Sequence, residues 1–198
     1  EMSKYFKDAW DSLNISYTDF VSTTERRHIK IVQEIVKKIY EKGDIYKGKY
    51  KGLYCVDCES YYLPKDLKAS LCPVHHKPVE TIKEEAYFFR MSKYQKLLLK
   101  HIKENKNFIF PESKRNEILN RLKEPLQDLS ITRATVKWGI PFFLDKKLTL
   151  FVWLDALLNY VTTIDYPSSK FKKFWPANVQ VIGKDIIWHH SVIWNSLL

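Results

Sequence analysis

Glycine is scarce in this chain, 5 residues in 198, which excludes collagen-like and glycine-rich linker architectures. No apolar run approaches the ~18 residues of a membrane-spanning helix. The opening Glu1-Met2-Ser3-Lys4-Tyr5-Phe6-Lys7 is not followed by the apolar segment of a secretory leader. It reads as the middle of a helix, so the chain is expected to start inside a larger protein. Cysteine is confined to Cys55, Cys58 and Cys72. An odd number without a leader argues against a disulfide framework and for a reducing compartment, the cytoplasm.

What is abundant bounds the class. Hydrophobic residues make up 45% and aromatics 15%, enough for a packed core and too much for global disorder. The length suits one domain, or one domain with a smaller one inserted. The net charge of +10 favours a polyanionic partner. Lysine dominates that charge, with only six arginines among 33 basic residues. Arginine is the usual bidentate phosphate ligand, so charge by itself points equally to a merely soluble surface.

Apolar spacing places helices at 1–14, 24–42, 92–104 and 112–123. Ser22 and Glu25 have capping-box spacing, as do Ser92 and Gln95, and Gly43 sits where a C-terminal cap belongs. Residues 44–83 lose the helical period and read as short strands and tight turns. Trp138-Gly139-Ile140-Pro141 marks a turn. Toward the end, 148–153 reads as a strand, 156–161 as helix, 179–183 as a buried strand, and 185 onward as helix. That alternation predicts a parallel α/β layer.

Three groups of residues carry chemistry. Cys55-Val56-Asp57-Cys58, then Cys72-Pro73-Val74-His75 after thirteen residues, give two ligand pairs with two residues between the members of each. That spacing suits a closed tetrahedral zinc site, which is structural rather than catalytic. His76 is adjacent but breaks the spacing. Gly183-Lys184-Asp185 stands at a strand-to-helix turn, where glycine lets a ligand approach and a carboxylate can accept ribose hydroxyls; a plain turn has the same composition. Trp153, Tyr160, His189, His190 and Trp194 are aromatics that a small core would also use. Arg90-Met91-Ser92-Lys93-Tyr94 imitates a nucleotide-binding Lys-Met-Ser-Lys-Ser loop. It lacks the first Lys and the last Ser and opens an amphipathic helix, so it is rejected as one.

Taken together, several stretches resemble the methionyl-tRNA synthetase family, in the family's order and over nearly the whole chain. They are LNISYTDFVSTTERRH, DIYKGKYKGLYCVDCESYY, LCPVHHKPVE, EEAYFFRMSKYQ, PESKRNEI, DLSITRATVKWGIP, FVWLDALLNYV and FWPANVQVIGKD, with the closing His-Ser-Val-Ile-Trp. The resemblance implies part of a class I Rossmann catalytic domain of α/β class, with an inserted zinc-knuckle connective-peptide domain and helices. Residues 1–45 would be a helical part of the catalytic domain, 46–90 the insertion, 91–124 a helical return segment, and 125–198 the second catalytic part. The family activates methionine with ATP, as methionyl-adenylate, and transfers it to tRNA(Met); ATP is accompanied by Mg2+. Carried over by position, Trp153, Ala156, Tyr160, Ile186 and His190 would line the methionine pocket. Gly183 and Asp185 would meet the adenosine ribose, and Arg133 would stand near the catalytic centre. The family's single-knuckle branch, with a histidine as fourth zinc ligand, supports His75 over His76.

The departures are specific. No His-Ile-Gly-His-type motif and no true Lys-Met-Ser-Lys-Ser loop occur in the 198 residues, so the segment alone is expected to be inactive. His189 stands where the family more often has Phe or Pro, and Asn195-Ser196 replaces a more usual Pro-Ala. The rival reading is a stand-alone zinc-knuckle nucleic-acid-binding module. It gives no reason for WLDALLNY or VIGKD. A third reading is an interaction protein derived from a synthetase. Titration of a chain extended at both ends with methionine and ATP separates the ligase from the zinc-knuckle module.

Overall fold

The structure is a computed structural model describing residues 2–58, 60–62, 67 and 69–198. Glu59, residues 63–66 and Lys68, within the stretch expected to be the insertion, lie outside the described residues.

Helix α1 (Met2–Ser12) buries none of its residues. Its Trp10 packs edge-on against Tyr17 and Phe20, at 5.4 and 5.1 Å between ring centroids. Helix α2 (Arg26–Glu41) is the rod of the core and buries His28, Ile31, Val32, Val36 and Ile39. Half of the expected capping box forms: the Glu25 carboxylate accepts the Ser22 N–H at 2.7 Å. At the other end Gly43 takes φ +82°. There Asp44 N–H donates to Ile39 O at 3.2 Å and Gly43 N–H to Tyr40 O at 2.8 Å. This is the Schellman closure, and a side chain at 43 would strain it.

A long antiparallel hairpin follows, β1 (Ile45–Cys55) against β3 (Glu80–Phe89), with Ile45 opposite Phe89 and Tyr54 opposite Glu80. Strand β2 (Ser60–Tyr62) lies on the outer edge of β1, and β4 (Leu129–Ser130) pairs with β3, giving the order β2-β1-β3-β4. Packing at Gly48 is tight: a Cβ there would come to 3.1 Å of the Phe88 ring, which would have to give by a few tenths of an ångström. The hairpin is clamped at its base by Asp44, whose carboxylate accepts Lys93 Nζ and the Tyr94 hydroxyl, each at 2.6 Å. Burial works to raise the Asp44 pKa, but the Lys93 and Tyr94 hydrogen bonds outweigh it and hold the carboxyl below its ordinary range.

Residues 91–94 form a 3-10 turn leading into helix α3 (Gln95–Glu104), and α4 (Glu112–Arg121) follows. The expected box at Ser92–Gln95 is not made. Ser92 bonds Asp128, and Gln95 instead reaches the end of α4, donating to Leu122 O at 2.7 Å and accepting from Leu126 N–H at 2.9 Å. Met91 is buried and Lys93 is bound to Asp44, so this segment is spent on structure.

Two short strands, β5 (Thr132–Arg133) and β6 (Thr149–Leu150), pair antiparallel. Three helices follow: α5 (Val152–Leu157), α6 (Asn159–Thr162) and α7 (Ser169–Phe174). A terminal helical run comprises a 3-10 turn at Lys184–Ile186, π-helical turns over His189–Trp194 and α8 (Asn195–Leu197). Val32, Ile102, Ile118, Ile131, Phe142, Leu154 and Trp194 meet in one core, each contributing about 1.5–3 kcal/mol by leaving water.

Three expectations are corrected here. Val152 and Trp153 begin a helix rather than end a strand, because the ladder stops at Leu150 and Phe151 N–H bonds Ile131 O at 2.9 Å before the chain turns. Residues 179–183 are not a buried strand. They belong to no ladder, and Val179 and Val181 are 77% and 93% exposed. The β-branched alternation was real, but a strand exists only with a neighbour to bond. Every strand pair among the described residues is antiparallel, so the expected parallel layer is not formed by them.

Candidate functional site

The knuckle is built at the far end of the hairpin, where β1 ends in Cys55 and the chain turns at Cys58. A second turn returns Cys72 and His75: Cys72 N–H donates to Lys77 O, and His76 N–H to Cys72 O, each at 2.9 Å. His76 takes φ +54°, and His75 is the histidine that joins the group. The ligand atoms of Cys55, Cys58, Cys72 and His75 all lie within 4.8 Å of one another. Cys58 Sγ is 3.4 Å from Cys72 Sγ and 3.0 Å from His75 Nδ1; Cys55 Sγ is 3.9 Å from that nitrogen. Tetrahedral ligation at Zn–S of about 2.3 Å and Zn–N of about 2.0–2.1 Å puts ligand–ligand edges at about 3.5–3.8 Å; the separations of 3.0 to 3.9 Å scatter about that range, and the donor set fits a thiophilic divalent cation.

The thiols differ. Burial raises the pKa of Cys72, but the N–H groups of His75 and Val74 and the neighbouring thiols outweigh it, bringing it down to about 5. Cys58 is pushed up to about 11, chiefly by burial. One thiolate thus forms readily, and the cation's charge would ionise the others. Tyr62 donates its hydroxyl to Cys58 Sγ at 3.2 Å, orienting the ligand from behind.

The second group lies where α5 and α6 meet the terminal run. Trp153 stacks on His189, with centroids 3.7 Å apart and planes at 22°. Tyr160 donates its hydroxyl to His190 Nε2 at 2.7 Å, and His190 Nδ1 is 2.9 Å from Ile186 O. A carbonyl can only accept, so His190 carries its proton on Nδ1, and Nε2 is the acceptor. Tyr160 therefore spends its hydrogen on His190 and keeps its oxygen lone pairs as acceptors. Burial raises its pKa. His189 falls to about 4, through burial first and the nearby Arg121 charge as well, so it is neutral at pH 7.

The structure thus brings Trp153, Tyr160, Ile186 and His190 to one helix interface. Ala156 is on α5 between the two aromatics, and its carbonyl accepts the Asn159 amide. Gly183 and Asp185 are exposed at the start of the terminal run. Arg133 is buried. It donates to Ser130 O at 3.0 Å and Thr132 O at 2.9 Å, and lies 4.4 Å from the ring of Phe151, the residue that precedes α5. A cleft of about 540 Å³ opens beside the interface, reached by Ile187, His190, Ser191 and Asn195; Trp153 and Tyr160 do not line it.

Two features escaped the sequence reading. His28 is wholly buried between Asp155 and Thr162; its place on the apolar stripe of α2 was the available signal. Asn195 donates its amide to His190 O at 2.6 Å, serving a carbonyl in the π-helical turns.

The family to which such a chain belongs, the class I aminoacyl-tRNA synthetases, is given by comparison with known proteins. The model of the family described as tRNA synthetases class I (M) matches residues 1–79 and 58–198, and the chain belongs to that family. It is 51% identical over 196 residues to a methionine–tRNA ligase of Clostridium tetani, covering 97% of this chain and 31% of the relative. It is 46% identical over 207 residues to that of Streptomyces coelicolor, covering 100% and 38%. Methionyl-tRNA synthetase of Mycobacterium tuberculosis bound by methionyl-adenylate superposes with a TM-score of 0.92 at 36% identity, over 98% of this chain and 40% of that one. The chain spans about a third of the length of the curated relatives it matches.

Proposed function

We propose that this chain supplies the methionine pocket and the metal-braced insertion of an ATP-dependent methionine–tRNA ligase. The complete enzyme would convert L-methionine and ATP, with Mg2+, to methionyl-adenylate and then charge tRNA(Met). The observation that carries the reading is the meeting of the Trp153–His189 stack and the Tyr160–His190 hydrogen bond on one interface, within a chain of this family.

The division of labour follows from side-chain chemistry. A polarizable thioether is held well by aromatic faces and edges. Trp153 gives the broad wall, Ala156 leaves room, Ile186 adds an apolar contact, and Tyr160 with His190 closes the end. Such packing is worth only a few kcal/mol per group, so shape does most of the selecting. Gly183 has φ −69°, and a Cβ there would meet nothing within 4 Å. Nothing in the packing of this chain demands glycine, whereas close approach of adenosine would. Asp185, two residues on, would accept the ribose hydroxyls. Arg133, held by carbonyls beneath Phe151, would brace the start of α5 near the reacting carboxylate.

Residues 46–90 would be the inserted domain, between 1–45 and the return segment 91–124, with 125–198 completing the catalytic part. Cys55, Cys58, Cys72 and His75 would hold one structural Zn2+, which when bound cross-links two turns that have little apolar core. The test is methionine-dependent ATP–pyrophosphate exchange by the ligase carrying this chain. Exchange is expected with methionine and not with leucine or isoleucine. Exchange driven by another amino acid, or by none, would overturn the reading.

A further inference from the structure

We propose that His28 is the positioning residue of the methionine pocket, acting through Asp155 and Thr162 on the two short helices that carry Trp153, Ala156 and Tyr160. The inference rests on the pocket reading above.

Helices α5 and α6 are 6 and 4 residues long. Helices that short do not persist through their own hydrogen bonds, and α5 has no side-chain cap. Their orientation has to come from outside. His28 supplies it from the 16-residue helix α2, with 0% exposure. Its Nε2 is 2.6 Å from Asp155 Oδ1 and its Nδ1 is 2.9 Å from Thr162 Oγ1. The Asp155 carboxylate can only accept, so Nε2 donates to it. Nδ1 is bonded to the Thr162 hydroxyl, which also lies 3.1 Å from Leu158 O. The ring plane is thus fixed at two points.

The spacing makes the bond a lever. Trp153 and Asp155 are two positions apart, as are Tyr160 and Thr162. At about 100° per residue each pair points to opposite sides of its helix. Asp155 and Thr162 face α2; Trp153 and Tyr160 face His189 and His190. The two helices form a plate, gripped on one side by a single imidazole and presenting the pocket aromatics on the other. A tilt of the plate would displace both pocket walls together, whereas Gly183 and Asp185 lie at the exposed start of the terminal run and meet the plate one step further on, through the contacts of His189 and His190 with Trp153 and Tyr160.

The experiment is steady-state pyrophosphate exchange by the complete ligase carrying His28→Ala, His28→Gln or Thr162→Val, with KM measured separately for methionine and ATP. His28→Ala should raise the methionine KM on the order of tenfold to a hundredfold, the scale of a misplacement of about 1 Å, and leave the ATP KM within about twofold. Glutamine restores a donor toward Asp155 and should recover most of the loss. If His28→Ala does not fold, Thr162→Val removes one anchor only and carries the same readouts. Equal changes in both KM values, or no change in either, would overturn the proposal. Absence of methionine-dependent exchange in the wild type would refute the pocket reading instead. In that event 19F spectra of the 198-residue chain labelled with fluorotryptophan decide the positioning role. The Trp153 resonance should move in His28→Ala and return in His28→Gln, while that of Trp138, which is 74% exposed, stays. A fixed Trp153 resonance, or a common shift of all the tryptophans, would refute positioning.

Discussion

Tyr160 and His190, thirty positions apart, meet through a 2.7 Å hydrogen bond in which the hydroxyl donates to Nε2. Because Ile186 O holds the opposite ring nitrogen, the histidine cannot turn away, and the tyrosine oxygen is left as an acceptor. This pair ties α6 to the terminal run at the point assigned to the thioether.

Tyr160→Phe removes the donor and leaves His190 Nε2 buried without it. An unsatisfied buried acceptor costs about 1–3 kcal/mol. The methionine KM of the complete enzyme should rise roughly five- to a hundredfold, with ATP affinity nearly unchanged. Equal loss for both substrates would remove Tyr160 from the methionine side.

Trp153→Ala deletes the wall stacked on His189. Large-to-small changes of this kind cost about 3 kcal/mol or more, so methionine affinity, read by equilibrium dialysis, should fall on the order of a hundredfold. ATP binding should persist. Retained methionine affinity would dismantle the pocket assignment without touching family membership.

Zinc analysis of freshly purified protein should find one ion per chain, and none in Cys58→Ser. Metal affinity in small structural sites is on the order of 10 kcal/mol and doubles as folding energy. The variant should therefore lose the knuckle locally, seen as rapid alkylation of Cys55 and Cys72, while the helix signal of α2 and α3 survives. Metal-free wild-type protein with readily alkylated thiols would refute the site.

The Asp44 clamp gives a pH signature. Its carboxyl pKa is lowered in the folded state, burial opposing and the Lys93 and Tyr94 bonds prevailing. The unfolded value is about 3.9. A depressed carboxylate contributes stability above that value and loses it as pH falls through the folded pKa. Asp44→Asn should lower the melting temperature at pH 7. The gap from wild type should narrow as pH drops below about 4. A gap independent of pH down to 2 would show that the charge is not what matters.

Much of the site was legible because local rules placed it. Cys55, Cys58, Cys72 and His75 are recognisable because a tetrahedral ion needs two tight turns, and a tight turn fixes ligand spacing. Helix α2 was legible from its apolar stripe and from Gly43, which the Schellman turn requires. The capping signal at Ser92–Gln95 misled, because Gln95 found better partners at the end of α4. The strand signal at 179–183 misled for a related reason: Val179 and Val181 have β character, but pairing is a property of two segments.

The sequence by itself determined the Cys3His grouping and the helix-forming stripes and, by resemblance, suggested which residues to propose for the pocket. These depend on spacing along a few turns of chain. Only the tertiary structure decided that Trp153 faces His189, that Tyr160 bonds His190, and that His28 grips α5 and α6 from behind. Those contacts join residues more than a hundred positions apart in the case of His28, Asp155 and Thr162. No local propensity encodes them; they follow from which helix faces the shared core brings together.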